Sequence, residues 1–193
     1  MHEVYSIAVF CGSRLGSRPE FAGAARDLGI GLAQAGIRLI YGGGRNGMMG
    51  VLADAVLEAG GSVLGVIPEF LTKSEVAHSG VTEMIVTGSM HDRKRRMAEA
   101  ANAFVTLPGG IGTMDETIEI ISWRQLRLHD KPIYICDIVG SAAPLVNAVD
   151  GMVAQGFVPA EARTLFEVMD GVPALLERLG QAPRGTGVAT ARL

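Results

Sequence analysis

Residues 107–119 read LPGGIGTMDETIE: an apolar run halts at Pro108, passes three glycines in four residues and resumes as a helix. A strand that ends in a glycine turn and leads at once into a helix is the repeating unit of an α/β fold. Glycine supplies the tight turn and lets other groups approach the backbone closely. The first turn of such a helix carries N–H groups without intrahelical partners, and these attract an anion such as a phosphate. The spacing is not that of a P-loop, because no Lys-Ser or Lys-Thr pair follows, and it is not G-x-G-x-x-G.

The same unit recurs on both sides of this stretch. Runs at 6–11, 38–41, 62–67, 82–86, 103–107 and 132–136 are short, β-rich and bounded by Gly, Pro or Asp, and so read as strands. The segments between them are amphipathic. In the first, Phe21, Ala24, Ala25, Leu28, Leu32 and Ala35 share one face and Gly36 ends the pattern. Strand–helix alternation predicts right-handed crossovers: an α/β, Rossmann-like, doubly wound parallel sheet with helices on both faces. Further helices are expected near 142–154 and 172–179, with a short 165–168 run between them. One domain over 1–180 and a flexible tail at 181–193 complete the expected organisation. Ligands of such sheets bind beyond the carboxyl ends of the strands, where the loops at 11–13, 42–44 and 108–113 share one rim. The 68–80 linker is long enough to act as a lid.

Composition narrows the function classes. The chain has 193 residues, 48% of them hydrophobic, and a net charge of −3. It offers no global electrostatic reason to bind nucleic acid. No apolar run approaches the roughly 20 residues of a membrane helix. The first residues lack the basic and apolar pattern of a secretory signal, so a cytoplasmic location is expected. Cys11 and Cys136 lie in or just after strand-like runs and read as small buried apolar residues. His78, His91 and His129 are scattered at spacings unlike those of a metal site, so no metal is expected.

The charged residues of two helices are the candidates for chemistry. In MHDRKRRMAEAA, residues 90–101, Met90, Met97 and Ala101 define an apolar face. Arg93 and Lys94 border that face, and an arginine there needs an anionic partner. Arg95 and Arg96 point away into solvent. In the 107–119 stretch, Thr113 opens the helix, and Thr113 and Glu116 form a T-x-x-E capping box. Yet Glu116 also stands where a ligand on the glycine turn would lie. The helix expected over 114–128 is apolar around a wide arc (Met114, Ile118, Ile120, Ile121, Trp123, Leu126, Leu128), wider than one sheet face needs.

Taken together, VFCGS at 9–13, the YGGG-x-x-G-x-MG run at 41–50, GVIP at 65–68, MHDRK at 90–94, PGGIGTMDE at 108–116 and W-x-QL at 123–126 resemble the LOG (Lonely Guy) family. Its members are cytokinin riboside 5′-monophosphate phosphoribohydrolases, often labelled possible lysine decarboxylases. The resemblance runs almost end to end and implies a Rossmann-like homodimer with sites near the interface. It implies hydrolysis of the N-glycosidic bond of an adenosine-type 5′-monophosphate to free base and ribose 5-phosphate, without a cofactor. By position it makes Arg93 and Glu116 the catalytic pair. It assigns nucleotide binding to Glu75, Lys94, Ser122 and the turn of Gly110, Ile111, Gly112, Thr113, Met114 and Asp115. Gly109 of the same turn, and Gly43 and Gly44 of the other glycine run, join them as candidates for close ligand approach. Ser122 stands where many relatives have Thr and keeps the hydroxyl.

Two rival readings differ in chemistry. Lysine decarboxylation through pyridoxal phosphate needs a Schiff-base lysine. The three lysines, Lys73, Lys94 and Lys131, lie in contexts that do not suit one. A non-catalytic carrier of a nucleotide or of the molybdenum cofactor is the alternative that the same fold allows.

Overall fold

The computed structural model describes residues 5–72 and 76–181. The candidate Glu75 and nearly all of the tail expected at 181–193 lie outside the described residues. Seven parallel strands form one sheet: β1 (Ser6–Phe10), β2 (Arg38–Tyr41), β3 (Val63–Pro68), β4 (Glu83–Thr87), β5 (Ala103–Thr106), β6 (Ile133–Asp137) and β7 (Glu167–Asp170). Their spatial order is β4-β3-β2-β1-β5-β6-β7. The chain winds outward from β1 to β4, returns to place β5 beside β1, and winds outward the other way.

Alternate residues of each strand face opposite cores, as a strand period of two requires. Ile7 and Val9 of β1 join Leu39, Tyr41, Val63 and Val105 beneath α1 (Pro19–Gln34), α2 (Gly47–Glu58) and α6 (Gly171–Gly180). Ala8 and Phe10 join Ile40, Val66, Phe104 and Ile135 beneath α3 (Met90–Ala100), α4 (Ile111–Gln125) and α5 (Ala143–Ala154). This is the doubly wound α/β architecture expected from the alternation. The end of α1 is a Schellman motif, in which the Gly36 and Ile37 N–H groups donate to Ala33 and Leu32. The seventh strand starts two residues after the start of the 165–168 run, because a 3₁₀ turn over Ala160–Leu165 occupies its beginning.

Between β1 and β5 the winding reverses, so the loops leaving these two strands diverge and open a crevice at their carboxyl ends. The Gly12 N–H donates to the Pro108 carbonyl at 3.0 Å, which fixes the two loops against each other.

Candidate functional site

The helix of the opening stretch begins earlier than its sequence suggests. Gly110 is the N-cap of α4, no side chain caps it, and Ile111 is the first helical residue. The capping box read from T-x-x-E therefore does not form. Thr113 is already inside the helix and buried, and Glu116 turns inward. The cause is tertiary: Arg93 of α3 lies across from Glu116, with Nη2 3.4 Å from Oε1. With glycine as its N-cap, the α4 N-terminus carries no capping side chain, which suits it to an external anion.

Thr113 and Thr117 are turned toward β5. The Thr117 hydroxyl donates to the Thr113 carbonyl at 2.7 Å, and its remaining lone pair lies 2.8 Å from the Thr106 hydroxyl. With its own proton committed, Thr117 accepts from Thr106. This chain of hydroxyls ties the first turns of α4 to the end of its parent strand. Gly109 is constrained from the same side, since a Cβ there would collide with the Thr113 side chain.

Arg93 is 6% exposed and Glu116 8% exposed. Arg93 is fixed by backbone as well: Nε donates to the Val66 carbonyl at 3.1 Å and Nη2 to the Gly42 carbonyl at 3.4 Å. Its helix is capped by Ser89, which accepts from the Asp92 N–H. The guanidinium thus bridges the ends of β2 and β3 to Glu116. A buried carboxylate needs such a partner, because the cost of removing it from water is offset only by a close cation and hydrogen bonds.

The pair lies on a cleft of about 160 Å³ lined also by Cys11, Ser13, Met90 and Gly110 to Thr113. A larger cleft of about 640 Å³, with Arg14, Phe21, Met48 and Gly109 in its wall, adjoins it and shares Ser13, Gly110 and Ile111 with it. Ile111 is 90% exposed where the two meet. Cys11 and Ser13 belong to the 11–13 loop expected on the ligand rim, and both line the smaller cleft. The Cys11 thiol is pushed well above its ordinary value by burial and then by the Glu116 charge, so it is not a thiolate nucleophile. Cys136 is pushed up to about 12 by burial and then by Asp137. Both cysteines are buried and free.

The other candidates separate by position. Gly110, Ile111, Gly112, Thr113 and Asp115 line the smaller cleft, and Gly109 lines the larger. Met114 packs under α4 against the core. Lys94 does not point into the cleft; Nζ lies 2.7 Å from Asp115 and 3.1 Å from Glu119. Burial lowers its pKa, but hydrogen bonds to Asp115 and Glu119 outweigh this and raise it. Gly43 packs against Ile67 and Met84, and Gly44 bridges Ala77 in an antiparallel pair, so these two glycines support the site from behind. Ser122 is exposed on the outer face of α4, beyond the cleft. Arg95 and Arg96 form ion pairs with Asp92 and Glu99 along their own helix. Among the described residues, no group of three or more His, Cys, Asp or Glu could hold a metal ion. None of the described helices is long and apolar enough to cross a membrane.

Residues 49–179 match the family model described as possible lysine decarboxylase. A probable cytokinin riboside 5′-monophosphate phosphoribohydrolase of Oryza sativa subsp. japonica is 44% identical over 93% of this chain and 78% of its own. The chain belongs to this LOG family. The family's cytokinin riboside 5′-monophosphate phosphoribohydrolase of Rhodococcoides fascians is 41% identical over 82% of this chain and 81% of its own. One from Arabidopsis thaliana is 38% identical over 95% and 87%. Among solved structures, the molybdenum cofactor carrier protein of Chlamydomonas reinhardtii superposes with a TM-score of 0.69 at 23% identity, covering 92% of this chain and 96% of its own. That likeness shows the fold, and the LOG relatives carry the functional reading.

Proposed function

We propose that the protein is a phosphoribohydrolase that cleaves the N-glycosidic bond of cytokinin riboside 5′-monophosphates and of AMP, giving free base and ribose 5-phosphate. The observation that carries this reading is the buried Arg93–Glu116 pair beside the uncapped N-terminus of α4, in a chain of the LOG family. The 5′-phosphate binds the N–H groups at residues 111–113, where backbone and helix dipole favour negative charge. The ribose then lies over Glu116. As the bond from C1′ to the base nitrogen lengthens, its electron pair leaves with the base and the ribose gains oxocarbenium character. The Glu116 carboxylate stabilises that charge and takes a proton from the water whose oxygen bonds to C1′. The departing base nitrogen gains a proton, so the step consumes one water. Arg93 holds Glu116 aimed at the cleft, and faces the growing negative charge of the leaving group.

The family model's description names a decarboxylase, and the described lysines do not fit an aldimine. Lys94 is committed as a cation to two carboxylates, which raise its pKa, whereas a Schiff-base amine must lose its proton. Lys131 is buried elsewhere, its Nζ donating to the Ala98 and Glu99 carbonyls at the end of α3.

The same reading makes the enzyme a cytoplasmic homodimer. The exposed apolar residues Ile111, Ile118 and Leu126 on one side of α4, with Ser122 among them, offer the face for a second copy near the cleft. Light scattering on the eluting protein should give twice the chain mass. The central test is incubation with AMP, isopentenyladenosine monophosphate and adenosine, followed by chromatography of free base. Both nucleotides should release base and adenosine should be nearly inert; equal turnover of adenosine would remove the phosphate anchor, and a nucleotide retained intact would favour a carrier.

A further inference from the structure

Behind the Arg93–Glu116 pair, the turn at residues 42–44 is held on its far side by the returning 76–78 segment. The His78 N–H donates to the Gly43 carbonyl at 2.9 Å and the Arg45 N–H to the Val76 carbonyl at 3.0 Å, while Gly44 pairs with Ala77. On its near side the Gly42 carbonyl receives Arg93. One short piece of backbone is therefore clamped between the returning segment and the site cation.

Among the described residues 76–80, His78 is the side chain that rivets this clamp to α2. The His78 ring is buried, its Nε2 lies 2.8 Å from Asp54 Oδ1 on α2, and its Nδ1 accepts from the Gly80 N–H at 3.1 Å. Because Nδ1 is an acceptor, the ring is the tautomer with its proton on Nε2, which donates to Asp54. Asp54 belongs to the helix that grows out of the same glycine turn. The imidazole thus ties the returning segment to α2, while the main chain of the same residue holds the turn, so that segment, turn and helix form one triangle. At no other point among the described residues 76–80 does a side chain hydrogen-bond or pair with α2.

We propose that His78, held by Asp54, is a positioning residue for the phosphoribohydrolase reaction: it fixes the 42–44 turn whose carbonyl seats Arg93, and so sets the Arg93–Glu116 geometry. The inference rests on the activity proposed above. It separates two things that a general loss of packing would not separate. The phosphate cradle at 110–113 is built on β5 and tied down by its own threonine chain, so substrate capture does not depend on His78. The aim of the catalytic pair does.

The experiment is a kinetic and spectroscopic comparison of His78→Ala, Asp54→Ala and Asp54→Asn with AMP as substrate, well below each variant's Tm. His78→Ala and Asp54→Ala should lower kcat about ten-fold with KM for AMP within two-fold, since small misplacement of reacting groups is costly. Asp54→Asn, which keeps an acceptor oxygen for Nε2–H, should recover most of the rate. Adding His78→Ala to Arg93→Ala should cost nothing further, because the two act through one group. The ¹⁵Nε–H signal of Arg93, identified by its absence in Arg93→Ala, should shift in His78→Ala. A rise in KM alone, a lowered Tm with unchanged kcat, additive losses in the double variant, or an unmoved Arg93 signal would each overturn the relay. If the wild type releases no adenine, it is the phosphoribohydrolase reading that fails, and the Arg93 signal still decides the relay.

Discussion

Two glycine turns leave neighbouring regions of one sheet edge, and they do opposite jobs. The 108–110 turn empties outward: Gly110 caps α4 without a side chain, and its neighbours line both clefts. The 42–44 turn is packed on every side, by Arg93 at Gly42, by β3 at Gly43 and by Ala77 at Gly44. Glycine marks both, for different reasons. In the first, Gly110 leaves open space beside the clefts while Gly109 makes room for Thr113; in the second, Gly42 makes room for the protein's own guanidinium. What separates a binding turn from a supporting turn is the occupant of the space, and that is set by tertiary contacts.

The comparison can be broken most severely at Glu116, where the products of both turns meet. Glu116→Gln keeps the size and removes the charge, so kcat should fall by about 10²–10⁴ at near-normal Tm, as for loss of a positioned acid–base group. Base release from AMP reads it directly, and wild-type turnover would remove Glu116 from the chemistry. Next comes Gly42→Ala: a Cβ there would collide with Arg93 Nη2, displacing the cation from its seat. The expected loss is about 10- to 100-fold in kcat, with binding of inorganic phosphate, followed by calorimetry, little changed. Gly110→Ala should give the complementary pattern. Among the described residues, chain neighbours and the helix's own backbone aside, nothing stands within 4 Å of a Cβ at that position. The fold should tolerate it, and the cost should fall on KM for AMP, by a few-fold, with kcat nearly intact. If both alanine variants changed the same kinetic constant, the distinction between the turns would be lost.

The smallest effect concerns the seat of α4 itself. His129 is buried, its ring tilted against Phe104 at 5.3 Å, with Nε2 3.0 Å from the Ile120 carbonyl and Nδ1 accepting from the Lys131 N–H. Burial lowers its pKa; the bond to Ile120 opposes this, and the nearby Lys131 and Arg124 charges reinforce it. Since the folded state disfavours the proton, the unfolded chain binds more protons in the window between the two pKa values. Stability is then complete above the ordinary histidine value of about 6.5 and declines as pH falls below it. Thermal melts from pH 8 to 5 should show that decline, and it should flatten in His129→Gln.

The sheet was legible because strands and helices alternate with periods of two and 3.6, and those periods depend on local residues alone. Six strand positions expected from sequence lie within a residue of those observed. Arg93 and Glu116 stand out in the sequence as charges beside an apolar helix face and a glycine turn, and the structure buries both and sets them against each other. The site was misread at Thr113, because T-x-x-E satisfies a cap and a buried acid equally well, and only Arg93, 23 positions away, decides between them. Lys94 reads as a ligand group until Asp115 and Glu119 are seen beside it. The supporting role of 42–44 depends on partners at 66–67, 76–78 and 93, and no local pattern encodes their meeting.

The parallel sheet has one further consequence, for engineering. Every cleft-lining loop leaves the carboxyl ends of the strands, so the turns at the opposite end of the sheet are free to vary. Gly60 lies in such a turn between α2 and β3, exposed and, among the described residues, with nothing but its chain neighbours near a would-be side chain. A loop inserted there would be felt by the folding equilibrium and ignored by the chemistry, which makes that end the natural place to attach a tag, a tether or a second protein.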